Sequence, residues 1–525
     1  MRWLVDCGMF QGGKALEERN QNVAAYRPGE LSFILLTHAH IDHSGLLPKL
    51  VKEGFQGRII CSKATLDLCE VMLRDSGHIQ EMEAEWQNRK GKRSGGDEVL
   101  PLYTAQDAEK SLSYFQTVDY GEMVSPADGV KVRFQDAGHI LGSATIELWV
   151  DQEGIEKKLV FSGDLGSSGQ PIIRDPSSIR EGDILWLEST YGNRFHKSRE
   201  ETVQELLRII QEAIRHRAKV VIPAFAVERT QDVIYTLGQS IRQGLIPSIP
   251  VYIDSPLAIS ATEIFKRNPD CFDKETKDLL MGGENPLDFP EIVYTRTTEE
   301  SKAINEDTRP AVIISASGMC DSGRIQHHLK HHLWRPESHI VFIGYQAEGT
   351  VGRRMIDGAK TIKLFGEEIA IKAHIHTLGG FSAQADQKGL LEWLSHLNNP
   401  ELTIFVNHGE EKTSLELSRI IRDRFHLKTV VPHWREKRVL FGPEEIVAED
   451  QAIPEKEILE EKEAVISLPE ESLPLLLRHL DRNYKRLRRK LKRGRFKEKE
   501  SLSPELMKRL EEINEKLEGL DSDLE

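Results

Sequence analysis

The run Thr37-His38-Ala39-His40-Ile41-Asp42-His43 places three imidazoles and one carboxylate within six residues. Histidine fills only 19 of 525 positions, so H-x-H-x-D-H arises by chance in roughly one such chain in a thousand. His38 and His40 lie two apart after the apolar run Phe33-Ile34-Leu35-Leu36, and in extended backbone both point to one side. Asp42 and His43 fall in the turn before a helix expected to begin near Ser44, where they can face a second ion. Imidazole plus carboxylate is a borderline-soft nitrogen and oxygen set that suits zinc.

Residues of the same kind recur at one point in the local pattern. Asp6 follows Trp3-Leu4-Val5, His139 follows the run 132–137, and Asp164 follows Leu159-Val160-Phe161 and Ser162-Gly163. Glu188 follows Ile184-Leu185-Trp186-Leu187, and His408 follows Thr403-Ile404-Phe405-Val406. Singly, each reads as a turn or capping residue. With His38 they make six at equivalent positions, and strand ends on one sheet edge converge where open α/β sheets build their sites.

The elements that must hold these residues form an α/β pattern up to about residue 440. Short β-type runs alternate with helical ones, as in stacked-layer proteins. A second α/β pattern occupies 194–365, with a helix expected over Glu201–Arg215. Its strands are expected at Lys219–Ile222, Val251–Ile253, Ala311–Ile314 and His339–Phe342. At 525 residues the chain has room for three to four units at roughly 150 residues each. The formal charge of −14 argues against a generic basic nucleic-acid coat, though not against a locally basic cleft. No apolar run approaches the ~18 residues a membrane helix needs. Asp6 interrupts the start, so it does not read as a signal peptide. The five cysteines are scattered, odd in number and without a C-x-x-C pair, which reads as a reduced, cytoplasmic protein.

Beyond 440 the composition changes. Residues 441–471 read as an acidic, proline-punctuated linker. Arg478–Lys497 holds eleven basic residues and one acidic; Glu498–Glu525 holds ten acidic and four basic. Leucines at 3/4 spacing run through both, so 472–525 reads as a charged helical tail. It would pair as a hairpin or across a homodimer, or grip RNA backbone with its basic run.

These motifs bring the chain to a family. It resembles the metallo-β-lactamase fold nucleases that carry a β-CASP insert. Within them it is similar to bacterial and archaeal relatives of the endonuclease subunit that cleaves pre-mRNA 3′ ends. The resemblance spans residues 1–440. It rests on Val5-Asp6-Cys7-Gly8, His38–His43, Gly138-His139, Ser162-Gly163-Asp164, Glu188-Ser189-Thr190-Tyr191-Gly192 and His408-Gly409-Glu410. In the insert it rests on Pro223–Val227, Asp254–Ala258 and Ser317-Gly318-Met319. The resemblance implies an αββα sandwich over 1–193 and 366–440, interrupted by a β-CASP domain over 194–365. It also implies two zinc ions. His38, His40 and His139 would hold one, and Asp42, His43 and His408 the other, with Asp164 bridging and Asp6 orienting the ligands from behind. Asp42, Glu188 and Gln384 are the candidate catalytic residues, and Ser317, Gly318 and Arg324 the candidate substrate contacts. The implied reaction is hydrolysis of single-stranded RNA to a 5′ phosphate. RNA-directed members carry His at the position of His408, where a DNA-repair branch carries Val.

The chain departs from the family at four points. Leading strands normally precede the Asp6 strand, and here an exposed sheet edge is expected. Gln384, in Phe381-Ser382-Ala383-Gln384-Ala385-Asp386, stands where the motif has His, and a neutral amide cannot supply a proton. His374 and His376 are near it in sequence, but a structural role is the better reading for both. Glu228 stands where many relatives have Gly, and the tail lies outside the resemblance. His327, His328, His331 and His332 read as a solvated helix face, since no carboxylate or cysteine completes a metal set. Two other classes stay open: a non-catalytic RNA-binding subunit, suggested by Gln384, and a small-molecule metallo-hydrolase, disfavoured by the large insert.

Overall fold

The computed structural model describes residues 1–11, 14–91, 98–347 and 349–441. The expected linker from 442 and the expected helical tail lie outside the described residues. No helix among the described residues is long and apolar enough to cross a membrane.

The first sheet is parallel: β1 (Trp3–Val5), β2 (Phe33–Leu35), β3 (Arg58–Ser62) and β4 (Phe115–Val118), in that order. Among the described residues β1 is an edge strand, paired with β2 alone. The second sheet starts with the antiparallel strands β5 (Met123–Ala127), β6 (Val130–Asp136), β7 (Ala144–Gln152) and β8 (Ile155–Phe161). β9 (Ile184–Leu187) then joins it parallel to β8. β6 alternates buried and more exposed residues, the period-2 signature of a strand with one face in the core. The two sheets meet through Trp3, whose ring stands edge-on to Phe161 at 6.3 Å.

The chain then leaves for the insert. Its strands β10 (Lys219–Pro223), β11 (Val251–Ile253), β12 (Ile292–Tyr294), β13 (Ala311–Ser315) and β14 (His339–Phe342) pair in parallel. Four of them are buried throughout, because helices cover both faces, and their sequences read as continuous apolar runs rather than alternations. After the hairpin β15 (Thr361–Leu364) and β16 (Glu367–Ala370), strand β17 (His374–Thr377) adds to the insert's sheet beside β14. His374 and His376 are thus built into the insert, stacked against His339 with ring centroids 5.0 and 5.3 Å away. The return to the seven-stranded sheet is made by β18 (Thr403–Val406) and β19 (Lys428–Val430), with β18 beside β9.

Two local expectations are corrected. Asp42 and His43 lie inside a short helix, Ile41–Ser44, rather than before one, and a second helix follows at Leu47–Lys52. The four-histidine helix is not a solvated face, because His328 and His332 are buried. His328 Nε2 lies 2.7 Å from Asp254 Oδ2, and its Nδ1 lies 3.1 Å from Asn305 Oδ1, which also faces His332 Nε2 at 3.2 Å. Burial raises the Asp254 carboxyl, but hydrogen bonds from His328, Ser301, Thr295 and Arg324 outweigh it and hold the group well below the usual carboxylate range.

Candidate metal centre

The C-terminal ends of β1, β2, β6, β8, β9 and β18 point to one edge of the sandwich, and each delivers its residue there. Asp6 and His408 leave their strands with φ of +58° and +50°, a left-handed step that L residues take only when the surroundings hold it. The ligand-competent atoms gather into two groups, His38, His40, His139 and Asp164, and Asp42, His43 and His408.

Nitrogen faces nitrogen throughout. His38 Nε2 and His139 Nε2 lie 3.1 and 3.2 Å from His40 Nδ1, and His43 Nε2 lies 3.2 Å from His408 Nε2. Asp164 spans the groups. Its Oδ2 is 3.6 Å from His139 Nε2 and 4.0 Å from His38 Nε2. Its Oδ1 is 3.1 Å from His43 Nε2 and 3.2 Å from His408 Nε2, yet this fully buried oxygen makes no hydrogen bond. Asp42 Oδ2 lies 3.9 Å from His408 Nε2.

This donor set fits metal. Two nitrogens each ~2.0–2.1 Å from a tetrahedral zinc stand ~3.3–3.4 Å apart, close to the spacings here. Hydrogen bonding alone does not explain the cluster, since lone pairs crowd a small space around a buried oxygen without a hydrogen bond.

The same carboxylate and imidazoles shift one another's titration. Burial raises the Asp164 carboxyl, but the charges of His408 and His43 prevail and hold it well below the usual range. Burial lowers His408, but Asp164, with a smaller contribution from Asp42, pushes it up to about 9. Burial and the neighbouring His43 take His38 well below its ordinary value, leaving a neutral ligand-competent ring.

Asp6 and Thr37 fix the tautomers from behind. Asp6 Oδ1 accepts from the Thr37 backbone N–H at 2.7 Å, and its Oδ2 accepts from the Thr37 hydroxyl at 2.8 Å. That oxygen also faces His43 Nδ1 at 2.7 Å, so a neutral His43 keeps its proton on Nδ1 and leaves Nε2 to offer its lone pair. With its hydrogen committed to Asp6, Thr37 Oγ1 accepts from His38 Nδ1 at 3.0 Å, which frees His38 Nε2 in turn. Reading from sequence missed Thr37, because a threonine at a strand end carries no signal of its own. Thr37→Val should weaken metal binding about 10–100-fold, and Thr37→Ser should restore it. Competitive zinc titration measures this, and unchanged affinity in the Val variant would refute the role.

Glu188 is buried behind Asp164. Its Oε1 accepts from Leu165 N at 2.6 Å, and its Oε2 accepts from Thr190 N at 3.3 Å. Burial, then the charge of Asp164, pushes its carboxyl up to about 8. Gln384 reaches the centre as well. Its Nε2 donates to Asp164 Oδ2 at 2.7 Å and to Thr190 Oγ1 at 3.3 Å. Glu228 faces the His139 loop from the insert, accepting from Leu141 N at 3.2 Å, and burial pushes its carboxyl up to about 8.

Ser317, Gly318 and Arg324 line the same cleft as His40, a space of about 680 Å³. The Arg324 guanidinium is already occupied. It donates to Asp254 Oδ1 at 2.7 Å and to the carbonyls of Thr295 and Arg296 at 3.1 and 2.7 Å. Gly318 permits close approach of the Phe225 ring, which a Cβ at that position would meet at 2.9 Å.

Two histidine and aspartate groups on the strand-end edge of an αββα sandwich define a metal-dependent hydrolase. Residues 3–120 match the family model of the metallo-beta-lactamase superfamily, and residues 230–355 that of the Beta-Casp domain. Residues 368–432 match the Zn-dependent metallo-hydrolase RNA specificity domain. The chain is 37% identical over 420 residues to Ribonuclease TTHA0252 of Thermus thermophilus, covering 80% of this chain and 90% of that protein. It is 31% identical over 444 residues to Transcription termination factor FttA of Methanothermobacter thermautotrophicus, and 32% over 445 residues to FttA of Methanocaldococcus jannaschii. Each of those matches covers 82% of this chain and 67% of the relative. The chain belongs to the β-CASP family of the metallo-β-lactamase superfamily.

Proposed function

We propose that the protein hydrolyses phosphodiester bonds of single-stranded RNA with a centre of two zinc ions. The observation that carries this reading is Asp164, a buried carboxylate set between two imidazole groups at the end of a cleft lined by the insert. His38, His40 and His139 would hold one ion and Asp42, His43 and His408 the other, with Asp164 shared. When bound, the ions supply an activated water and neutralise charge at the scissile phosphate. The chain's own residues do the rest. Asp6 and Thr37 hold the imidazoles of His43 and His38 in register. Glu188, protonated near neutrality, keeps a proton beside the centre, and Gln384 holds Asp164 Oδ2. The bond to the 3′ oxygen breaks, leaving a 5′ phosphate.

The ribonuclease named among the relatives is spanned over nearly its full length by this chain, whereas the termination factors are spanned over about two thirds. The higher identity to the named ribonuclease, 37% against 31% and 32%, favours RNA hydrolysis over a termination role. The scattered cysteines support a cytoplasmic setting, and association as a homodimer belongs to the same reading.

End-labelled RNA incubated with zinc-reconstituted full-length protein should be cut, and a chelator should stop the reaction. Failure to cut any single-stranded RNA, or cleavage that survives removal of the metal, would overturn the proposal.

A further inference from the structure

The loop that carries His139 is held from two sides. Within the sandwich, Ser143 Oγ accepts from the backbone N–H of His139 at 3.1 Å and of Ile140 at 3.2 Å. The Gly142 carbonyl accepts from the hydroxyls of Ser62 at 2.7 Å and Thr65 at 2.8 Å. Leu141, between them, is fully buried, and its N–H is directed to the insert, where Glu228 Oε2 accepts it at 3.2 Å. A buried amide without an acceptor is costly, so this carboxylate completes the hydrogen bonding of the loop.

The backbone is bent to bring Glu228 there. Its φ of +68° and ψ of −57° centre a turn closed by the Arg229 N–H on the Val227 carbonyl at 2.9 Å. Such a γ-turn is rare and strained for a residue with a side chain, and glycine takes positive φ readily. Neutralising Arg229 does not account for a carboxylate at this point, because Arg229 pairs with Asp232 at 3.4 Å and donates to the Phe381 carbonyl. The contact that a glycine could not make is the one to Leu141.

His139 depends on its backbone more than its neighbours do. The rings of His38 and His43 are fixed from behind by Thr37 and Asp6. His139 Nδ1 is buried and makes no hydrogen bond among the described residues. Its ring is therefore oriented by the loop that carries it, and Glu228 grips that loop two residues away.

We infer that Glu228 is a positioning residue, which holds the His139 loop from the insert and through it sets the ring of one ligand of the metal centre. The inference rests on the metal reading above and not on the substrate. It ties the first metal position to the seating of the insert, because one side chain bridges the two. Whatever lifts Glu228 from Leu141 should loosen the hold of His139 on metal.

The test compares Glu228→Gln, Glu228→Met and Glu228→Gly in the full chain. Gln keeps a carbonyl acceptor, Met fills the space without a strong one, and Gly removes the side chain while relaxing the turn. In the metal-free protein, amide hydrogen exchange across 138–143 should quicken about tenfold with Met and Gly and stay unchanged with Gln. Competitive zinc titration should show one position weakened about tenfold with Met and Gly, the other unaffected, and Gln equal to the unaltered protein. Unchanged zinc affinity in all three variants would overturn the inference, as would equal weakening of both positions or a Gln variant as weak as Met. If Glu228→Gly fails to fold, Met against Gln decides by the same readouts. An unaltered protein that takes up no zinc defeats the metal reading instead, and the grip on the loop then still fails if exchange across 138–143 is the same in every variant.

Discussion

Asp164→Asn should lower single-turnover RNA cleavage by at least about 10³-fold and reduce bound metal below that of the unaltered protein. Asp164 is the one residue whose two oxygens address both groups, Oδ2 towards His139 and His38 and Oδ1 towards His43 and His408. An amide keeps the shape but loses the charge, and it offers one oxygen in place of two. Damage should therefore reach both positions. His40→Ala removes a ligand from the first group only, so its metal content should fall by about one equivalent while the second position still fills. Elemental analysis after zinc reconstitution and desalting separates these outcomes. If Asp164→Asn keeps its full metal content and cleaves within about tenfold of the unaltered rate, the carboxylate does not join the two positions and the centre has been misread.

The gathering of His38, His139, Asp164 and His408 at one place was legible in the sequence because each follows an apolar run long enough to be a strand, and strand ends meet on one edge. Thr37 was not, since its role depends on Asp6 arriving from a different strand to take its hydroxyl hydrogen. The same holds for His328 and His332. Along their helix they match a solvent-facing pair, and only Asp254, at the end of a strand 74 residues earlier, makes a buried partner for His328. The helix Lys63–Gly91 escaped for another reason. Its apolar residues Ile79, Met82 and Trp86 line a cleft rather than a core, among many charged neighbours, so no clean amphipathic stripe announces it. β17 lay in the segment read as the return to the sandwich, yet it pairs with β14, because parallel pairing is set by tertiary packing and leaves no local signature.

Gln384→His should speed cleavage of ordinary RNA by at least about tenfold. The departing 3′ alkoxide is a poor leaving group, and absence of a positioned acid typically costs about 10²–10⁴-fold. Gln384 stands where an acid would be of use, since its Nε2 is 2.7 Å from Asp164 Oδ2 and 3.3 Å from Thr190 Oγ1. Its amide can steady that carboxylate but has no proton to give. An imidazole in its place can donate to the leaving oxygen, whereas Glu188 is engaged by the backbone of Leu165 and Thr190. Proton supply and positioning can be told apart with a substrate in which sulfur replaces the bridging 3′ oxygen. A thiolate departs without protonation, so Gln384→His should give little advantage on that substrate. Gln384→Ala should slow both substrates alike, because it removes the hydrogen bonds to Asp164 and Thr190 and no proton donor, and should cost less than Asp164→Asn. Equal acceleration of both substrates by Gln384→His would mean that the imidazole works through Asp164 and the metals. No acceleration of either would place the proton elsewhere in the site, with Glu188, whose buried carboxyl is pushed up to about 8, the remaining candidate.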